Sequence, residues 1–296
     1  MSDVSTAAEN APSPTTGASP LLKVEEISVR FAGVHALTDV SFQVQSGELF
    51  AIIGPNGAGK TSLFNVLSRV YQPVSGKVTF DGHDLLRYRA HQVARLSIAR
   101  TFQNLGQFPN TPVLDYLLLG RHTRMRSGIL LGGIYLGPTR DEERKNRAYC
   151  MHLLELLGLE RYANIPLKLL PYGLQKRADL ARALALEPKL LLLDEPVAGM
   201  NLRESEEIAS AILDIKEQLG VTQILVEHDM ALVMGIADRV LVLDFGRAIA
   251  QGTPTQVQAD PDVIKAYLGE EFGEKAVSGG NGANVALPDA NDREGA

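Results

Sequence analysis

Apolar and polar positions along the chain follow two periods. From Leu21 to Arg30 apolar residues mix with charged ones, Leu22 and Val24 against Lys23 and Glu25, the pattern of an outer strand with one wet face. Val40–Val44 predicts a second short strand, and Gly47-Glu48 turns into the unbroken apolar run Leu49-Phe50-Ala51-Ile52-Ile53. A run apolar on both faces predicts a strand buried inside a sheet. Helical spacing follows at Ser62–Leu67, and Gly76–Gly82 reads as a strand ending in an Asp-Gly turn, which closes one compact opening module. Helical spacing returns at Glu142–Leu157 and at Gly173–Leu186. Four leucines, Leu190–Leu193, then predict a buried parallel strand that ends in Asp194-Glu195-Pro196. Helix Glu204–Leu219, strand Thr222–Val226, helix Met230–Ala237, strands Val240–Asp244 and Arg247–Gly252, and a last helix Pro261–Leu268 complete the pattern. The recurrence of strand, helix and strand predicts an α/β fold.

One stretch breaks this pattern. Between Arg87 and Arg147 eleven Lys and Arg stand against four acids, and three glycines and a serine interrupt the apolar segment from Ser127 to Leu136. That is not the pattern of a sheet core, so a mainly helical second subdomain is expected at about 86–187. Residues 1–20 are rich in Ser, Thr, Ala and Pro, and residues 273–296 in Gly, Asn and acids; both are expected to be disordered tails, leaving a folded unit over 21–272. The N-terminus lacks the basic start and apolar stretch of a secretory signal, and no apolar run approaches the ~20 residues of a membrane helix. The single cysteine, Cys150, excludes an internal disulfide, fits a reducing cytoplasm and reads as a small apolar residue on a helix. Of the net charge of −6, each tail contributes −2. The nearly neutral remainder offers no electrostatic argument for nucleic acid as a partner.

The chemistry concentrates in three places. Gly54-Pro55-Asn56-Gly57-Ala58-Gly59-Lys60-Thr61, followed by Ser62, lies between an apolar strand and a helix and matches G-x-x-x-x-G-K-[ST]. Its glycines let backbone N–H groups turn inward around a phosphate chain, Lys60 reaches the outer phosphates, Thr61 offers a hydroxyl to Mg²⁺, and the helix N-terminus adds positive potential. Asp194-Glu195 puts two carboxylates at the carboxyl edge of a parallel sheet, where ligands of open α/β folds sit; one acid there can hold Mg²⁺ while its neighbour polarises water. Leu170-Pro171-Tyr172-Gly173 forms a second glycine turn before a helix. With two candidate anion cradles and one Asp-Glu pair, the second cradle is expected to complete a site on another subunit.

The order and spacing of these motifs resemble the ATP-binding subunits of ABC transporters, from about Leu21 to Leu268. The resemblance implies a P-loop NTPase of ABC type: a mainly parallel RecA-like core, an antiparallel β subdomain and an inserted helical subdomain. It also implies residue roles. Gly54–Thr61 is similar to the Walker A loop, Leu190–Asp194 to the Walker B strand and Glu195 to the catalytic base. Gln103 matches the glutamine that touches Mg²⁺ and water, His228 the histidine at the γ-phosphate, and Phe31 the aromatic that stacks on adenine. The signature turn with Tyr172, Gly173 and Gln175 would face ATP across a dimer. The partners implied are a second ATP-binding subunit, two membrane-spanning permeases and, indirectly, a solute-binding protein, with the chain on the cytoplasmic face of the membrane.

Two departures stand out. The signature, usually Leu-Ser-Gly-Gly-Gln, is here Leu170-Pro171-Tyr172-Gly173-Leu174, and the loop that usually ends Ser-Ala-Leu-Asp is here Ala198-Gly199-Met200-Asn201. These two stretches, the segment around 124–147 and the ending from Val240 to Gly269 resemble subunits of branched-chain amino acid importers; carriers of urea or short amides share much of the pattern, and an exporter or lipopolysaccharide-extracting ATPase is the runner-up. Other classes fit less well. Chromosome-organising relatives would insert a long coiled coil between Gly59 and Leu170, where no sustained heptads occur. Translation-associated ones would carry two cassettes, and a GTPase would need an Asn-Lys-x-Asp turn, which is absent from the sequence.

Overall fold

The computed structural model describes residues 19–101, 108–121 and 138–267. Two sheets form around the continuous apolar strands. In the larger, β3 (Leu49–Ile53), β6 (Ile98–Arg100), β7 (Leu190–Asp194), β8 (Thr222–Val226), β9 (Arg239–Asp244) and β10 (Arg247–Gly252) are ordered β10-β9-β3-β8-β7-β6. All neighbours are parallel except the β9–β10 hairpin at one edge. In the smaller, β1 (Leu22–Phe31), β2 (Val34–Val44), β4 (Ser75–Phe80) and β5 (His83–Asp84) form an antiparallel sheet ordered β2-β1-β4-β5. This mainly parallel core with a separate antiparallel sheet is the architecture the resemblance implied.

Strand alternation explains why the core strands read as unbroken apolar runs. Leu49, Ala51 and Ile53 of β3, Leu191 and Leu193 of β7, and Val240 and Val242 of β9 enter one core. Their alternates Phe50 and Ile52, Leu190 and Leu192, and Leu241 and Leu243 enter the other. The first core is shared with α3 (Val113–Gly120), α4 (Pro138–Leu156), α5 (Tyr172–Leu184) and α6 (Leu202–Leu219); the second is shared with α1 (Lys60–Leu67), α2 (Ala90–Val93) and the antiparallel sheet. With both faces covered, no polar alternation is needed. Cys150 lies in the first core, fully buried.

The structure departs from the sequence expectations in several places. β2 begins at Val34 rather than Val40, pairing with β1 from Leu22–Val44 to Phe31–Val34 through several register shifts. Polar Thr38 and Asp39 mask it; Asp39 has a positive φ of 52° and accepts from Ser28 Oγ at 2.9 Å, so a local irregularity carries the strand past them. β6 and α3 have no counterpart in the periodicity reading: a three-residue strand is too short to show a period, and Val-Leu-Asp-Tyr-Leu-Leu-Leu-Gly has no polar face. Within the stretch 86–187, β6 (Ile98–Arg100) pairs with β7 and so belongs to the core sheet. The tails, Gln103 and most of the glycine-interrupted basic segment lie outside the described residues. No helix among the described residues is long and apolar enough to cross a membrane.

Candidate active site

The parallel strands bring the predicted chemistry to one edge. Ile52 of β3 lies beside Val226 of β8, and Val226 beside Asp194 of β7, so the glycine loop, Asp194-Glu195 and Glu227-His228 leave the sheet side by side. Residues far apart in the chain thus converge at the carboxyl end, the expected ligand edge.

The loop after β3 is shaped for close backbone approach. A Cβ on Gly54, at φ +150°, would stand 2.1 Å from the carbonyl oxygen of Leu243, and one on Gly59, at φ +103°, 2.6 Å from that of Ala36. Gly59 is the N-cap of α1, where no side chain caps and no acid occupies the first turn. The first amides are therefore available to an anion, which the helix dipole favours. Lys60 is buried, and its ammonium donates to the carbonyls of Gly54 and, at 2.9 Å, Pro55, which holds it over the loop. Thr61 is exposed at the helix start. Such a cradle fits a phosphate chain.

Asp194 is 1% exposed. Its Oδ2 accepts from Arg100 Nη2 at 2.6 Å, while Oδ1 is buried without a hydrogen-bond partner. A buried carboxylate oxygen left unsatisfied is unusual, and it fits a role as ligand, direct or through water, for Mg²⁺. Among the described residues no group of three or more His, Cys, Asp and Glu forms a metal cage. Arg100 is itself held: Nη1 donates at 2.9 Å to Asn65 Oδ1 and to Ser68 Oγ, both from α1 or its C-cap. One guanidinium therefore joins the helix of the phosphate loop to the carboxylate on β7.

Glu195 follows in a left-handed conformation, φ 47°, and is partly exposed; its amide donates to Val226 O at 2.9 Å, which ties the turn to β8. Positive φ at a non-glycine residue costs energy and recurs at functional turns. His228 is exposed, its side chain 63% accessible. Between them lies a carboxylate that motif matching did not assign. Glu227 is fully buried, with Oε1 accepting from Val197 N at 3.0 Å and Oε2 from His228 N at 3.2 Å. Burial raises its pKa above that of an ordinary glutamate; the two amides and His228 oppose this, and nearby Glu195 adds to it. Arg100 and Glu227 adjoin recognisable motifs, but burial and partner geometry are what distinguish them from surface charges.

The remaining site candidates lie on other elements. Phe31 ends β1, 43% exposed, with Tyr71 edge-on at 4.9 Å between ring centroids. Pro171 is the N-cap of α5, with φ −51°, followed by exposed Tyr172 and partly exposed Gly173. Tyr172 donates its hydroxyl to Ala198 O at 3.4 Å, and Gln175 donates its side-chain amide to Leu170 O at 2.8 Å, so both polar groups serve contacts within the chain. Asn201 is the N-cap of α6: its Oδ1 accepts from Glu204 N at 3.0 Å, while Glu204 accepts from Asn201 N at 3.2 Å. Asn and Asp cap helices about equally well, which accounts for the asparagine in local terms. On the helical side, Asp179 accepts from Tyr116 at 2.9 Å and Arg182 Nε at 2.8 Å, and Arg182 Nη2 donates to Arg100 O at 3.1 Å, fastening α3 and α5 to the end of β6.

Comparison with known proteins gives the family. Residues 37–198 match the model of the ABC transporter family, and residues 249–273 that of the branched-chain amino acid ATP-binding cassette transporter. The chain is 39% identical to a high-affinity branched-chain amino acid transport ATP-binding protein of Pseudomonas aeruginosa, over 85% of this chain and 98% of that one. A protein of the same description from Escherichia coli is 38% identical over the same shares. Among solved structures, the ADP conformation of an ATP-binding cassette of an ABC transporter superposes with a TM-score of 0.74 at 29% identity, covering 85% of this chain and 100% of that one. The family match over more than half of the chain and these full-length relatives place the chain in the ABC transporter family as an ATP-binding, ATP-hydrolysing subunit.

Proposed function

We propose that this subunit powers the import of branched-chain or related hydrophobic amino acids from the cytoplasmic face of the membrane. Two copies, or this chain and a paralogue, would enclose two ATP molecules head to tail beneath two membrane-spanning permeases served by a solute-binding protein. The observation that carries the solute class is the identity of 39% and 38% with two proteins named for branched-chain amino acid transport, each matched over 98% of its length.

The chain's own residues divide the work. Phe31 stacks on adenine, and the amides from Gly54 to Ser62, with Pro55, Asn56, Gly57 and Ala58 shaping the turn, hold the phosphates. Lys60 leaves its loop carbonyls for the outer phosphates. Thr61, Asp194 and Gln103 would hold Mg²⁺, which when bound neutralises phosphate charge. Glu195 orients water and accepts its proton, and His228 steadies the γ-phosphate. Across the dimer, the amides around Gly173 and the dipole of α5 face the partner's nucleotide, since Pro171 has neither hydroxyl nor N–H to donate. Tyr172 and Gln175 shape that turn.

Co-purification tests this reading. The chain should retain two permeases, and a binding protein loaded with a branched-chain amino acid should stimulate ATP hydrolysis. Stimulation by urea or amides only, retention of a lipopolysaccharide-exporting assembly, or a soluble complex without permeases would replace it. In the assembled complex Glu195→Gln should bind ATP yet hydrolyse it hardly at all; hydrolysis at the wild-type rate would remove Glu195 from the role of base.

A further inference from the structure

We propose that Glu227 is a positioning residue for hydrolysis: its buried carboxylate clamps the loop that follows Glu195 to the strand end that carries His228, and so sets the distance between those two side chains. The inference rests on the roles proposed above for Glu195 and His228.

The geometry is specific to a carboxylate. Its two oxygens are used separately, Oε1 by the amide of Val197 and Oε2 by the amide of His228. Val197 is two residues beyond Glu195, and His228 is the residue next to Glu227. A glutamine in the same place keeps one acceptor and sets an NH₂ against the other amide, and an alanine keeps neither. The loop is held elsewhere too, by Glu195 N on Val226 O at 2.9 Å and by the Tyr172 hydroxyl on Ala198 O at 3.4 Å. Neither of these contacts touches His228, so among the described residues Glu227 alone makes side-chain hydrogen bonds to both the loop and the histidine's backbone. A carboxylate with no exposure beside a second carboxylate is costly to keep, and apolar side chains such as Val226 and Leu225 fill the rest of the strand end. Glu227 has no solvent exposure, whereas the side chain of His228 is 63% accessible, so the carboxylate holds the backbone of the turn from inside. Its leverage is geometric: a misplacement of about 1 Å between reacting groups can lower a rate about 100-fold.

The test compares Glu227→Gln and Glu227→Ala with Glu195→Gln and His228→Ala in the assembled transporter. Glu227→Ala is expected to lower kcat at least about tenfold with KM for ATP within about threefold of wild type, and Glu227→Gln to fall between the two. Added to His228→Ala, Glu227→Ala should lower the rate by less than it does alone, because the histidine it positions is gone. Hydrogen exchange should quicken at the amides of both Val197 and His228 in Glu227→Ala, and at the one facing the new NH₂ in Glu227→Gln, while the strands of the core sheet stay protected. Wild-type kcat in Glu227→Ala, or a full additional loss on top of His228→Ala, overturns the proposal. So does unchanged exchange at the two amides. If instead His228→Ala and Glu195→Gln hydrolyse ATP normally, the underlying assignment of the site fails, and that result is distinct from a failure confined to Glu227.

Discussion

Arg100 and Asp194 form the ion pair whose removal the structure predicts most sharply. The side chain of Asp194 is 1% exposed and that of Arg100 25%, with 2.6 Å between Nη2 and Oδ2. Arg100→Met keeps most of the side-chain volume but strands the carboxylate in the core; it also deprives Asn65 Oδ1 and Ser68 Oγ of their donor and removes the guanidinium 5.6 Å above the Phe64 ring. Breaking a buried pair by removing one partner costs about 3–5 kcal/mol, and the partial exposure of Arg100 places this case near the lower end, about 3 kcal/mol. For a fold of this size each kcal/mol shifts the melting temperature about 2–4 °C, so a loss of about 6–12 °C is expected. The assay is thermal unfolding, with a parallel urea titration for the free energies, followed by circular dichroism without nucleotide or metal, so that ligand binding at Asp194 does not contribute. Adding Asp194→Asn removes the stranded charge, and the double variant should recover more than half of the loss. A single variant that melts within about 2 °C of wild type, or a cycle with coupling under about 0.5 kcal/mol, would refute the view that Arg100 is the counter-charge of Asp194.

Gly54→Ala should destabilise the fold by about 2–4 kcal/mol in the same assay, since its Cβ meets the Leu243 carbonyl within the sheet at 2.1 Å. Gly57→Ala, whose Cβ would meet only open space at φ +80°, should cost about 1–2 kcal/mol. Gly173→Ala should melt like wild type, because its Cβ would meet only the flexible Glu204 at 3.4 Å, whereas Gly173→Asp should fold but lose nearly all ATPase activity in the assembled complex. Pro171→Ser should retain or increase that activity; the opposite pattern at these two positions would show that the turn is not the cradle across the dimer. Burial raises the Cys150 thiol from 9.0 to about 11, with Arg121 partly opposing. Its folded value lies above the unfolded one, so its contribution to stability is complete below pH 9 and lost as pH rises through about 11. Iodoacetamide at pH 8 should therefore label Cys150 only in unfolded protein, and the difference in stability between wild type and Cys150→Ala should narrow above pH 9.

The sequence by itself determined whatever depends on local chemistry and period. The strand-loop-helix around Gly54–Thr61 is legible because glycine spacing, a lysine and the helix start act within a few residues of one another. The core strands are legible because burial on both faces leaves runs such as Leu190–Leu193 no room for polar residues. Tertiary structure decided what such locality cannot reach. β2 passes through Thr38 and Asp39 where β1 supplies Ser28 opposite, and α3 reads as apolar because Val113, Leu114, Tyr116 and Leu117 are buried in the core it shares with α4 and α5. Arg100 became the partner of Asp194 across 94 positions, and Glu227 that of Val197 across 30, through the parallel packing of β6, β7 and β8. In the linear chain each is a charge beside a motif; only the assembled sheet, which removes water and brings strand ends into one row, turns those charges into a counter-ion and a clamp.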